Sequence, residues 1–145
     1  MIYIGYQGIG KSSISGSNNN IDLESGNFWV NGERIEDWYK IYCNIAEHLS
    51  NQGYNVFMSS HKVVREELNK KNIKFSVICP ILDLKEQWID RLQCRYDKTK
   101  LEKDYKALMN AKTMYEENIN DLLSEKCVVK ITDINYDLCD LIYKG

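Results

Sequence analysis

The sequence predicts an α/β fold: a parallel sheet of five strands with helices on both faces. Three observations carry that expectation. Short strand-like runs alternate with helical runs along the whole chain. The first run ends in a glycine-rich loop, Gly5-Tyr6-Gln7-Gly8-Ile9-Gly10-Lys11-Ser12. The 145 residues, 43% hydrophobic and 28% charged, suit one soluble domain with a proper core and are too few for two.

Each element has its own local signal. Residues 1–5 are short and β-branched, a strand. Residues 19–24 read as a second strand, with Ile21 and Leu23 on one face and Asp22 and Glu24 on the other. Ile35, Trp38, Tyr42, Ile45 and Leu49 recur at helical spacing, so 35–51 reads as a helix stopped before Gly53. Residues 54–58 form the third strand, and 61–70 a helix with Val64 and Leu68 inward. The fourth strand, 75–79, ends at Pro80, the single proline of the chain. Asp83, with Glu86 three residues on, reads as a capping box that opens the next helix. Residues 99–123 read as one long polar helix or two short ones, 127–131 as the fifth strand, and 135–143 as a closing helix. There is no internal repeat or low-complexity linker. The nearest to a biased segment is 15–20, a polar turn, so residues 1–145 are expected to form a single domain.

Composition narrows the function classes. The formal charge is −2 with no basic or acidic block, so generic binding to nucleic acid or a membrane surface has no support. The apolar runs are short, and the N-terminus lacks the basic region, apolar stretch and cleavage site of a signal peptide. The five cysteines (Cys43, Cys79, Cys94, Cys127, Cys139) form no close pair and are odd in number, which points to a reduced, cytoplasmic protein. No His/Cys set has zinc spacing, and no G-x-S-x-G elbow occurs. Nothing in the sequence fixes the oligomeric state.

The glycine-rich loop carries the chemistry. It matches G-x-x-x-x-G-K-[ST] at every fixed position and follows a strand at the chain start. Gly5, Gly8 and Gly10 allow the backbone to fold tightly, and with Ile9 and Ser13 they offer N–H groups to an anion. Lys11 can reach β- and γ-phosphates, and the Ser12 hydroxyl can ligate Mg²⁺. The bland alternative is a glycine-rich turn with a chance lysine. The helix after the loop reads as short or broken, because Gly16 and Asn18 to Asn20 follow quickly.

With that loop and order of elements, the chain resembles the P-loop kinases of small molecules. That group includes nucleoside monophosphate kinases, phage deoxynucleotide kinases among them, and the shikimate and gluconate kinases. The resemblance extends over nearly the whole chain in element order, but only the loop is a specific motif. It implies a P-loop NTPase fold with strand order 2-3-1-4-5, an acceptor site after strands 2 and 3, and a lid after strand 4, here around 91–118. It implies ATP and Mg²⁺ as cofactors, small nucleotide substrates as partners, and transfer of a phosphoryl group to a nucleoside monophosphate.

Site residues follow position by position. Asp22, Ser25 and Arg34 fall in the acceptor connection after strand 2, and His61 and Arg65 after strand 3. The resemblance makes Arg65 a holder of acceptor phosphate; read plainly it is a solvated helix charge, and His61 a capping or structural residue. Leu84, Trp88, Arg91 and Arg95 follow i, i+4, i+7, i+11 spacing, a stripe that starts apolar and ends in arginines. The resemblance makes Arg91 and Arg95 lid cations acting with Lys11 on the transferring group; the alternative is surface pairing with Asp90 or Glu102. Tyr96, Tyr105 and Tyr115 stack on a base or pack the lid. One feature departs from the family: Ser59 and Ser60 end strand 3, where many P-loop enzymes carry an acidic residue. That departure leaves a second reading, a non-catalytic or slowly hydrolysing nucleotide-binding module that acts through a partner.

Overall fold

A computed structural model describes residues 1–14 and 19–144, so most of the expected polar turn at 15–20 lies outside the described residues. The chain is α/β, with a five-stranded parallel sheet. Its strands are β1 (Ile2–Gly5), β2 (Asn20–Asp22), β5 (Asn55–Ser59), β6 (Ser76–Pro80) and β7 (Val128–Ile131). Their order is β2-β5-β1-β6-β7. Counting only the strands of this sheet, that is 2-3-1-4-5. Residues 29–34 form a separate two-stranded hairpin of β3 (Trp29–Val30) and β4 (Glu33–Arg34), which the sequence did not lead us to expect.

By its contacts the chain gathers into two compact units, Met1–Gly5 with Gly10–Ser76, and Tyr6–Ile9 with Val77–Gly145. In the first, β1 pairs with β5 (Ile4 opposite Met58, Gly5 opposite Ser59) and β5 with β2 (Asp22 opposite Phe57). The carboxyl ends of these three parallel strands therefore lie side by side, which is where open α/β sheets bind ligands. Helix α2 (Trp38–Asn51) packs on α3 (Lys62–Lys70) and on β5. Val64 and Leu68 are fully buried, as their spacing predicts.

The α2 expectation needs correction. The helix starts at Trp38, because Asp37 takes a left-handed conformation (φ 56°) that breaks the run from Ile35. Its buried residues are Tyr42, Cys43 and Ala46, whereas Ile35 and Ile45 are exposed. The face that packs on α3 and β5 is thus Tyr42, Cys43 and Ala46, and Ile45 stays outside.

In the second unit, α4 (Lys85–Thr99) and α5 (Glu102–Leu123) form a helical hairpin turned by Lys100 at φ 55°. The 99–123 segment is thus the end of one helix and all of the next. The proposed capping box at Asp83 does not form. Asp83 lies in a single 3-10 turn (Leu82–Leu84), and the residue capping α4 is Leu84, with no side-chain cap bond. Pro80 belongs to β6 and does not follow it. The chain closes with α6 (Leu138–Lys144), three residues later than expected. Among the described residues no helix is long and apolar enough to cross a membrane.

Candidate functional site

The glycine-rich loop leaves β1 and runs into α1 (Lys11–Ile14). Gly8 and Gly10 take φ values of 88° and 103°, conformations that side chains with a Cβ rarely adopt. Gly5 is the last residue of β1, and the Lys11 ammonium folds back to donate to its carbonyl at 3.3 Å. The Ser13 amide and hydroxyl both donate to the Gly10 carbonyl, at 3.1 and 2.7 Å, which closes the first turn of α1. Ser12 is exposed, and Ile9 is buried with its amide on the Tyr6 carbonyl at 3.3 Å. The first half of the loop is gripped from several sides. Gln7 donates to the Ala107 carbonyl and to Asn110 Oδ1 at 3.1 and 3.0 Å, and the Tyr6 amide donates to the Ile78 carbonyl at 3.0 Å.

Arg34 and His61 come together in the first unit, beside Trp38, which the sequence placed only on a helix face, and Arg34 also meets Trp29, which sequence reasoning did not single out. In the β3–β4 register Trp29 stands opposite Arg34, and the guanidinium lies 5.2 Å from the Trp29 ring. On its other neighbour, Trp38 at the start of α2, it stacks at 4.0 Å. The hairpin that delivers Arg34 turns on Asn31 and Gly32, both at positive φ, the backbone of a two-residue type I′ turn. That Asn-Gly pair was the signal that would have located it.

Arg34 Nη2 meets His61 Nε2 at 3.4 Å, while Arg34 Nη1 is buried without a hydrogen-bond partner among the described residues. His61 packs edge-on against Trp38, with ring centroids 5.3 Å apart. Desolvation of its ring, then the positive charges of Arg34 and Lys11, hold its pKa down at about 4. Lys11, Arg34 and His61 thus share one electrostatic neighbourhood, although they come from the loop, the hairpin and the start of α3.

Arg65 behaves differently. It is buried within α3, and its Nε donates to the Ser60 carbonyl at 3.4 Å. This is not the solvated helix charge of the plain reading. Ser25 begins a 3-10 turn (Ser25–Phe28) after β2, and the residue capping that turn, Glu24, makes no side-chain cap bond. Tyr42 ties the neighbouring strand ends together: its hydroxyl donates to the Leu23 carbonyl at 2.6 Å and accepts from the Ser59 amide at 2.9 Å. Burial pushes that phenol up to about 12, with Asp22 and Glu24 adding to the rise. The Ser59 hydroxyl, where an acidic residue was sought, is buried with no hydrogen-bond partner among the described residues.

The two lid arginines separate. Arg91 lies over the stacked rings of Trp88 and Tyr136, 5.1 and 5.2 Å from their centroids. Trp88 and Tyr136 both hydrogen-bond loop carbonyls. Arg95 pairs with Asp104 at 3.1 Å, a partner other than Asp90 or Glu102. Asp104 is 4% exposed and also accepts from the Thr99 hydroxyl, so Arg95 helps to close the α4–α5 turn. The tyrosines pack: Tyr96 against Tyr105 at 5.4 Å, and Tyr115 buried with its hydroxyl on the Ile81 carbonyl at 2.7 Å.

No family model matches this sequence, and no curated protein matches it either.

Proposed function

We propose that the chain is a P-loop phosphotransferase that moves the γ-phosphoryl group of ATP to a small anionic acceptor, a nucleoside monophosphate first among them. The observation that carries this reading is the juxtaposition of Lys11, at the end of a glycine loop with two positive-φ glycines, with Arg34 and His61. A loop of this shape suits a polyphosphate. An arginine with a buried, unsatisfied Nη1 suits a second anion. Two indoles beside it suit a flat ring.

The residues also fit the group that the fold family brings. MgATP supplies the phosphoryl group and metal charge. Lys11 and the Gly8 and Gly10 amides are suited to its phosphates and the Ser12 hydroxyl to the metal, whereas the Ile9 and Ser13 amides, expected to serve too, already donate to the Tyr6 and Gly10 carbonyls. Among the described residues no three His, Cys, Asp or Glu side chains cluster as metal ligands. Mg²⁺ does not demand such a cluster, since it commonly takes one or two protein oxygens and completes its shell with phosphates and water. The orphaned Ser59 hydroxyl and the Asp22 carboxylate belong to the adjacent ends of β5 and β2 and can hold such water.

In this reading Lys11 counters the β–γ charge, and Arg34 grips the acceptor with His61 beside it. Arg65 props the turn after β5 through Ser60. A non-catalytic module is the second reading, favoured by serine in place of an acid at the end of β5.

One assay separates these readings. Release of ADP is followed with ATP, Mg²⁺ and a panel of nucleoside monophosphates and small hydroxyl compounds, with Lys11→Ala as the control. Turnover on one acceptor, lost in Lys11→Ala together with ATP binding, supports the kinase. ATP binding without turnover on any acceptor supports the module. Equal ATP affinity in the two proteins, measured by calorimetry, defeats both.

A further inference from the structure

We infer that Trp88 and Tyr136 are positioning residues that aim the amides of the glycine loop, so that nucleotide affinity is set from α4 and from the segment before α6. The inference rests on the reading of the loop as a polyphosphate site.

An anion site made of backbone must show its N–H groups and hide its carbonyls, because a carbonyl oxygen repels phosphate. Two side chains from distant parts of the sequence do this here. The Trp88 indole Nε1 donates to the Gln7 carbonyl at 2.8 Å, and the Tyr136 hydroxyl donates to the Ile9 carbonyl at 2.6 Å. All peptides of the described residues are trans. In a trans peptide the C=O and the next N–H point in opposite directions. Fixing the Gln7 carbonyl therefore fixes the Gly8 N–H to the other side, and fixing the Ile9 carbonyl does the same for the Gly10 N–H.

The two donors form one assembly. Their rings stack 6.1 Å apart at 13°, and Arg91 lies over both. Trp88 is fully buried, and Tyr6 packs between it and Tyr115. Gly8 presses on the same support, since a Cβ there would stand 2.9 Å from Leu92 Cδ2 and 3.2 Å from Trp88 Nε1. The glycine at this position is required both by its φ and by closeness to the residue that holds its neighbour's carbonyl. Burial raises the Tyr136 pKa, and Arg91 offsets part of that rise through its charge and hydrogen bond, so the hydroxyl stays a donor at neutral pH.

A residue that merely stabilises the fold changes melting temperature and leaves the affinity of the folded protein alone. A positioning residue changes affinity. The experiment therefore measures both, by calorimetry with MgATP and by thermal melting without nucleotide, for the wild type, Tyr136→Phe, Trp88→Phe and Tyr105→Phe. Tyr136→Phe removes one hydroxyl and keeps the ring stack. Tyr105 makes a ring contact with Tyr96, away from the loop carbonyls, and serves as the control. The expected result is a rise of roughly five- to tenfold in Kd for Tyr136→Phe, the worth of one hydrogen bond, and no change for Tyr105→Phe. If Trp88→Phe does not fold, Tyr136→Phe decides alone. Unchanged Kd in Tyr136→Phe, with binding by the wild type intact, overturns the inference and leaves the loop's assignment standing. A wild type that binds no MgATP overturns both.

Discussion

At the scale of single residues, His61 and Gly8 illustrate how position overrides residue type. An ordinary histidine is half-protonated near pH 6.5, but a proton on His61 would stand beside Arg34 and Lys11. Because the folded-state pKa is depressed to about 4, the unfolded chain binds this proton first. The stability due to neutral His61 is therefore complete above about pH 6.5 and is lost as pH falls through about 4. His61→Gln removes the titration, and its melting temperature should decline less steeply than the wild type's over that window. Parallel profiles by calorimetric scanning would falsify the placement of His61 among cations. For Gly8→Ala, the added methyl meets Leu92 and Trp88 and the backbone is strained at φ 88°. The expected cost is about 1–3 kcal/mol of stability, with weakened binding of MgATP, and a variant as stable and as tight as the wild type contradicts the loop geometry.

At the scale of elements, the legible and the illegible parts divide along physical lines. Four of the five sheet strands were readable as short, largely apolar runs and β2 by the alternation of Ile21 and Leu23 with Asp22 and Glu24, and the strand-then-glycine-loop motif is local in sequence. The hairpin at 29–34 was not recognised, although its Asn31-Gly32 pair is a local signal, because its strands are only two residues long. The stripe on α2 misled because periodicity finds a helix's apolar residues but not which neighbours will cover them; Ile45 stays exposed while Ala46 is buried. The arginine stripe on α4 divides between two sets of contacts. Arg95 finds its carboxylate nine residues on, across a helical turn that sequence spacing does not disclose. This yields a paired prediction. Arg95→Ala should lose about 1–2 kcal/mol of stability, because it takes the cation from the buried Asp104 carboxylate while the guanidinium itself is part-exposed, and keep its turnover. Arg91→Ala, if Arg91 counters transition-state charge, should lose about 10³-fold in kcat with a smaller change in KM. Both are read from denaturant melts and steady-state rates on the acceptor found in the ADP-release assay. Equal kinetic losses in the two variants would remove the distinction drawn between them.

At the scale of the whole molecule, the question is which acceptor the proposed phosphotransferase would select. The net charge of −2 gives no general pull on anions, so selectivity rests on local cations. A monophosphate arrives ionised; its attacking oxygen needs little help from a base but does need positive partners. Arg34, held between two indoles with its Nη1 unsatisfied, is such a partner, and Lys11 and His61 share its neighbourhood. A hydroxyl acceptor reverses the demand. It must lose a proton during attack, and Asp22, at the end of β2, would be the natural base. His61, with its pKa near 4, is neutral at pH 7 and accepts at most a weak bond from Arg34, so it adds no fixed charge of its own. The discriminating variants are Arg34→Gln, which keeps a planar amide against Trp38 but removes the charge, and the near-isosteric Asp22→Asn. For a monophosphate acceptor, Arg34→Gln should raise the acceptor KM by about tenfold or more, the worth of a charge-assisted hydrogen bond, while Asp22→Asn retains most of its turnover. For a hydroxyl acceptor, Asp22→Asn should be the inactive protein and Arg34→Gln nearly normal. The balance of cations over bases around Arg34 favours the first pattern, and steady-state kinetics with the acceptor varied at saturating MgATP decides between them.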